Sequence, residues 1–386
     1  MFRALVPTFV LAGCGFSITG GAIAGDDEPP IIDAPRPIDA PDIDAPGAPP
    51  YLRSIDVTDA MVEGGPHTEF PLLVSITNAP WLRSQGNGGD VATMNGIDLQ
   101  FFADSAATSQ IEHEVEGYNP MTGTLTAWVR VPSLSASTVI YLRYGDPAVT
   151  TAPATPAVWL GYAGVWHLSS NLDDATAESQ PGTNAGTTPT TGQISTGRAF
   201  DGVDDLINLG SASAIDNVFD AGGTVEVWFR AQSAGEGGYG RILDKGHDNG
   251  WSLGVSSNDG RPRSVFFVQG TSTSFLHWNT PSNVVTLGAW HHLALTYDRG
   301  MTPLLYLDGA PQTLDMLQSS MGTLDSDGAN TLYAGNRATL DRTFDGSLDE
   351  LRVSTGIRSA SWIRTAYRNQ SQSNAFYTLG NAVSVQ

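Results

Sequence analysis

The apolar stretches that could form a core are short. Phe70-Pro71-Leu72-Leu73-Val74-Ser75-Ile76, Thr124 to Val131 and Thr138 to Tyr144 are rich in β-branched and aromatic residues and are bounded by Gly, Pro or Asn, which is how strands read. Thr224-Val225-Glu226-Val227-Trp228-Phe229-Arg230 alternates with a period of two, as a half-buried strand does. With 43 Gly, 23 Pro and only 15% charged residues, the chain suits strands joined by turns, so the expected class is all-β. A length of 386 residues exceeds one ordinary domain, and two β-sandwich modules are expected. The net charge of -21 repels phosphate backbones at close range, which excludes nucleic acid as a natural partner. Cys14 is the single cysteine, so no intramolecular disulfide or thiolate cluster is available and stability must come from packing.

The placing of Cys14 is informative. Met1-Phe2-Arg3 gives a short positive start and Ala4 to Leu11 a mostly apolar stretch, near the length of a signal h-region and too short to span a bilayer. Leu11-Ala12-Gly13-Cys14 resembles the bacterial lipobox. That resemblance implies a signal peptide over 1–13, lipidation of Cys14, and a mature chain beginning there. The alternative is an ordinary secretory signal, cut near the small residues Ala22 to Gly25. Several acyl chains on one residue anchor durably. Gly15, rather than Asp, after the cysteine implies the bacterial outer membrane in a Gram-negative cell, facing either the surface or the periplasm.

Between 14 and 50 no core can form. Ile-Asp-Ala-Pro recurs at 32–35, 38–41 and 43–46; proline removes donors and repeated Asp repels itself, so a disordered, semi-rigid Pro/Asp-rich tether is expected. At about 3.1 Å per residue such a spacer reaches several nanometres from the lipid.

Residues 51–150 carry, in order, Gly96 to Phe102, Ile111-Glu112-His113-Glu114-Val115-Glu116, Ala127 to Pro132 and Tyr141-Leu142-Arg143-Tyr144-Gly145-Asp146. This series resembles a bacterial domain family of unknown function that commonly precedes LamG-like modules. Glu112, Glu114 and Glu116 alternate along an expected strand and so share one face. Paired carboxylates of this kind serve retaining glycosidases, but the Asp such enzymes place between their two glutamates is missing, and a solvated strand face is the expectation.

Residues 157–385 carry Val165-Trp166-His167-Leu168, Gly197 to Asp205, Trp290 to Asp298, Leu304 to Gly309, Thr331 to Asn336 and Phe344 to Val353, with Asp308-Gly309 a hairpin signal. Together these resemble the LamG-like, concanavalin A-like jelly roll. A short helix capped by Ser359 should follow, with Trp362, Ile363, Ala366 and Tyr367 on the face that packs onto the sandwich. The resemblance implies a structural calcium held by Asp201, Asp204 and Asp205 with Asp349 from the last strand; hard oxygen ligands suit calcium. Alternatively these carboxylates are turn-formers and solvated groups. His291 and His292, adjacent on a strand, point to opposite faces and cannot share a metal. For a ligand, Tyr239, Trp251, His277, Trp278 and Asn279 offer aromatic faces and amide hydrogen bonds suited to a sugar.

The resulting expectation is a non-catalytic, lipid-anchored envelope protein whose second module binds carbohydrate or another envelope or extracellular protein. Polysaccharide-active enzyme and purely structural envelope protein are the alternatives.

Overall fold

The computed structural model describes residues 49–153 and 155–385; the expected signal peptide over 1–13, Cys14 and all but the end of the expected tether lie outside the described residues. The chain is built almost wholly from antiparallel strands, as the short β-branched runs imply.

The first module packs two sheets. One orders Tyr377–Leu379, Tyr51–Val57, Val139–Tyr144 and Gln100–Phe102; the other orders His67–Ile76, Thr124–Leu134 and His113–Asn119. Alternate residues of each sheet, among them Ile55, Leu72, Val74, Ala127, Val129 and Leu142, meet in a shared core.

The second module is a sandwich of two eight-stranded sheets. Gly223–Ala231 sits centrally in one, between His291–Tyr297 and Asp345–Ser354. Tyr239–Lys245, Trp251–Ser256, Ser264–Thr271 and Ser274–Asn279 run side by side in the other. Val225, Val227 and Phe229 face the core with Leu253, Phe267 and Trp278 from the opposite sheet. The Asp-Gly hairpin is present: Leu307 pairs with Ala310, and Asp308 (φ 53°) and Gly309 (φ 73°) both take the left-handed conformation that a two-residue turn of matching twist requires.

Two features depart from a chain of separate modules. The strands Tyr377–Leu379 and Val383–Ser384 both pair with Tyr51–Val57, so the expected second module of 157–385 ends inside the first module's sheet. Edge strands bury their free backbone groups by finding a partner, and here the chain's own end supplies it. The helix Ala360–Ser371 is capped as expected, with the Ser359 side chain accepting from the Trp362 amide at 3.2 Å. Its apolar face does not pack on the jelly roll alone: Trp362, Ile363 and Ala366 join the first module's core, with Ala294 and Tyr306 of the second. The Asn369 side chain accepts from the Leu73 amide (2.7 Å) and donates to its carbonyl (3.1 Å), while Trp228 Nε1 donates to Gln370 at 2.6 Å. The helix is therefore a wedge between the two modules, touching both.

Candidate functional site

Where the modules meet, the alternating glutamates are not solvated. Glu114 and Glu116 are withdrawn from water and face His167, Glu350 and Arg352 of the jelly roll. A bulge between Val115 and Gly117 re-aims this strand. Trp159 Nε1 donates to Glu114 (2.7 Å) and Trp128 Nε1 to Glu116 (2.9 Å). His167 sits 2.9 Å from Glu350 and 3.3 Å from Glu114, and Arg352 donates to Glu350 at 2.7 Å while its guanidinium lies 4.1 Å over the Trp128 ring.

Burial alone would lower the His167 pKa, but Glu350, Glu116 and Glu114 together hold it well above the ordinary value. Burial pushes Glu116 up to about 7 despite His167, and raises Asp349, which also faces Glu350. An acid of raised pKa beside other carboxylates is what glycosidases use. Here Glu116 is enclosed beside Trp128, which donates to one carboxylate oxygen, while the other, Oε1, is buried with no hydrogen-bond partner among the described residues. The solvated face expected for Glu112 to Glu116 holds only for Glu112, which borders an open depression on the first module.

The expected calcium set is brought together in part. Asp201, Asp204 and Asp205 bring carboxylate oxygens within 4.8 Å of one another. Asp349 does not join them: Asp201 pairs across the sheet with Asp345, which puts Asp349 four residues, or roughly 13 Å, further along its strand. It is fully enclosed and accepts from the Ile194 amide at 2.8 Å. Within the loop, Asp205 already accepts from the Asp201 amide and Asp201 from the Val203 amide, both at 2.9 Å; these are the bonds of a turn.

The aromatic patch is split by strand alternation. Trp278 and Trp251, 2% and 1% exposed, point inward and belong to the core, Trp278 stacking on Phe267 at 5.7 Å. Asn279 is fully buried, with neither amide atom hydrogen-bonded among the described residues. Tyr239 and His277 point outward, with Phe275, and line a pocket of about 190 Å³ on the outer face of the sheet. Phe266, Val268, Arg241, His247, Arg337 and Arg342 complete it. The Tyr239 and Phe266 rings meet edge to face at 5.8 Å, and Arg241 lies 4.8 Å over Phe266. Sequence reasoning missed these six residues; the alternation of Phe266 and Val268 against core Phe267 was the available signal for those two, whereas Arg337 and Arg342 come from a loop distant in sequence.

His291 and His292 do face opposite ways. His291 Nδ1 meets Asp308 at 2.7 Å, and His292 packs beside Trp228 near Glu226.

Comparison with known proteins places this geometry. Residues 95–177 match the domain of unknown function DUF2341, and residues 200–364 match the concanavalin A-like lectin/glucanases superfamily. The two occur in the expected order, the first extending through strand Tyr162–Trp166 of the jelly roll. No curated protein sequence matches the chain. Among solved structures, the chain is similar to domain 4 of AbnA, a GH43 extracellular arabinanase from Geobacillus stearothermophilus in complex with arabinotriose. Identity there is 17%, over 53% of this chain and 97% of that one, with a TM-score of 0.41. It is also similar to the binding domain of Paraclostridial Mosquitocidal Protein 1 (11% identity, 54% and 52% covered, TM-score 0.44) and to that of botulinum neurotoxin serotype G (12%, 55% and 52%, TM-score 0.45). The chain spans about half the length of these toxin domains.

Proposed function

We propose that this chain is a non-catalytic recognition protein of the bacterial envelope, lipidated at Cys14, lifted from the membrane by its Pro/Asp-rich tether, and binding a saccharide with its jelly roll. The observation that carries the reading is the pocket where Tyr239, Phe275 and His277 converge with arginines on the outer face of a sheet, above the buried ring of Phe266. Aromatic walls with a few convergent polar groups suit the mixed surface of a sugar ring. A volume of about 190 Å³ is below that of a drug-sized site and suits one ring or a chain end. The larger depression on the first module, about 490 Å³, is lined by the 148–153 loop, Gln100 and Gln110; the ring nitrogens of His113 beneath it are already taken up by the Ile111 and Leu99 carbonyls.

Support for a non-catalytic role comes from the carboxylates. Glycoside hydrolysis needs two of them flanking the scissile bond, and among the described residues lining the pocket there is no Asp or Glu. The test is a glycan-array and polysaccharide pull-down screen with the full chain, run with calcium and with EDTA and assayed in parallel for released reducing ends. Binding without cleavage is the expected result. Cleavage would establish the enzyme alternative, and silence toward every glycan would leave a protein partner or a structural role.

A further inference from the structure

The pocket is lined by three guanidiniums and two imidazoles, on a chain of net charge -21. The carboxylates nearest these arginines stand behind them. Asp244 pairs with Arg241 at 3.3 Å and Asp341 with Arg337 at 2.6 Å, and both acids line the neighbouring depression instead. At the rim, Asp259 is occupied by the Tyr239 hydroxyl, which donates to it at 2.6 Å.

The groups that remain are donors. Arg241 is enclosed by protein, and its Nη1 has no hydrogen-bond partner among the described residues. Its Nη2 is 3.2 Å from His247 Nδ1. A guanidinium can only donate, so His247 accepts through Nδ1 and carries its proton on Nε2. Burial and Arg241 push the His247 pKa down to about 3, which keeps that ring neutral. Among the described residues the Arg342 guanidinium meets only the backbone carbonyl and a carboxylate oxygen of Asp341, the latter at 3.6 Å. Donors without acceptors, beside the half-buried ring of Phe275 and above a Phe266 ring that Arg241 itself covers, call for a ligand that brings its own negative charge on a ring.

We propose that this pocket selects an anionic saccharide, a sugar ring bearing a carboxylate or a sulfate, with Arg241 and Arg342 meeting the anion and the aromatic rings covering the C–H face. The proposal rests on the saccharide reading above and narrows its ligand class. Charge-assisted hydrogen bonds of this kind are each worth about tenfold in affinity or more, and they weaken as salt screens the pair.

The test uses the full chain and matched probes: oligogalacturonate against its methyl ester, and a sulfated galactan oligosaccharide against its desulfated form, titrated calorimetrically at low and raised salt. Inorganic sulfate serves as the bare anion. The expected result is at least tenfold preference for the charged member of a pair, reduced by salt and lost in Arg342→Gln, whose side chain is partly exposed and whose replacement should leave the melting temperature within a degree or two. Equal affinity for charged and neutral members would overturn this inference while leaving the saccharide reading standing. Binding of neither would overturn this inference, the saccharide reading then being decided by the glycan array, and inorganic sulfate binding as tightly as the glycans would overturn the sugar subsite.

Discussion

Glu116→Gln is the most informative single change at the module junction. Glu116 is enclosed between the modules, accepts from Trp128, and has its pKa pushed from an ordinary 4.5 up to about 7 by burial. The folded state therefore holds this proton more tightly than the unfolded chain. By linkage, the stability it contributes is complete below about pH 4.5 and is lost as pH rises toward 7. Moving an ionisation that far corresponds to about 3 kcal/mol. His167, whose pKa is raised by Glu350, Glu116 and Glu114 against the effect of burial, acts in the same direction: its contribution is present below about 6.5 and fades as pH rises through its folded value. The glutamine keeps an acceptor for Trp128 and cannot ionise. Wild-type stability in denaturant titrations should therefore fall between pH 5 and 8, whereas Glu116→Gln should be near wild type at pH 5 and more stable than wild type at pH 8, by about 3 kcal/mol at most. A variant that loses more stability at pH 8 than at pH 5 would show that Glu116 is ionised and paired in the fold, and the reasoning would fail.

Further changes separate core from site. Trp278→Ala, in the core, should cost about 3–5 kcal/mol in unfolding free energy, whereas Phe275→Ala, on the outer face, should leave the melting temperature nearly unchanged and abolish saccharide binding. Trp362→Ala removes the anchor of the helical wedge and should cost a similar 3–5 kcal/mol, read by denaturant unfolding. Asn369→Leu strands the amide and carbonyl of Leu73 and should cost roughly 2–4 kcal/mol by the same assay. Cys14→Ala should abolish incorporation of labelled palmitate and release the chain from the membrane fraction of a producing bacterium.

The class of fold was legible because strand alternation is local, and the order of the modules from the resemblance of two series of strands to known families. Thr224 to Arg230 and the Asp308-Gly309 turn state their structure within a few residues. The cap at Ser359 was legible for the same reason. What lay beyond local reading was which elements share a face. Glu114 and Glu116 look like solvated strand residues until a second module covers them, and nothing near them in sequence announces His167 or Glu350. The helix carries one apolar face, and periodicity does not say that two modules divide it. Aromatic composition drew attention equally to Tyr239, Trp251, His277 and Trp278. The phase of the alternation then sends Trp278 and His277 to opposite sides, and that phase is set by the core partners of Phe267. Arg337 and Arg342 enter the pocket from a loop whose position only the closed sandwich fixes. Asp349 failed as a calcium partner of Asp201 because register, which depends on the pairing Asp201 to Asp345, placed it further along the sheet.

The most direct test of the central claim is a crystal structure of the full chain soaked with the oligosaccharide that binds it most tightly. The account predicts an uncleaved sugar ring against Tyr239 and Phe275, its anionic group within hydrogen-bonding distance of Arg241 and Arg342. A ligand bound elsewhere with this pocket empty, or a cleaved product within it, would contradict it.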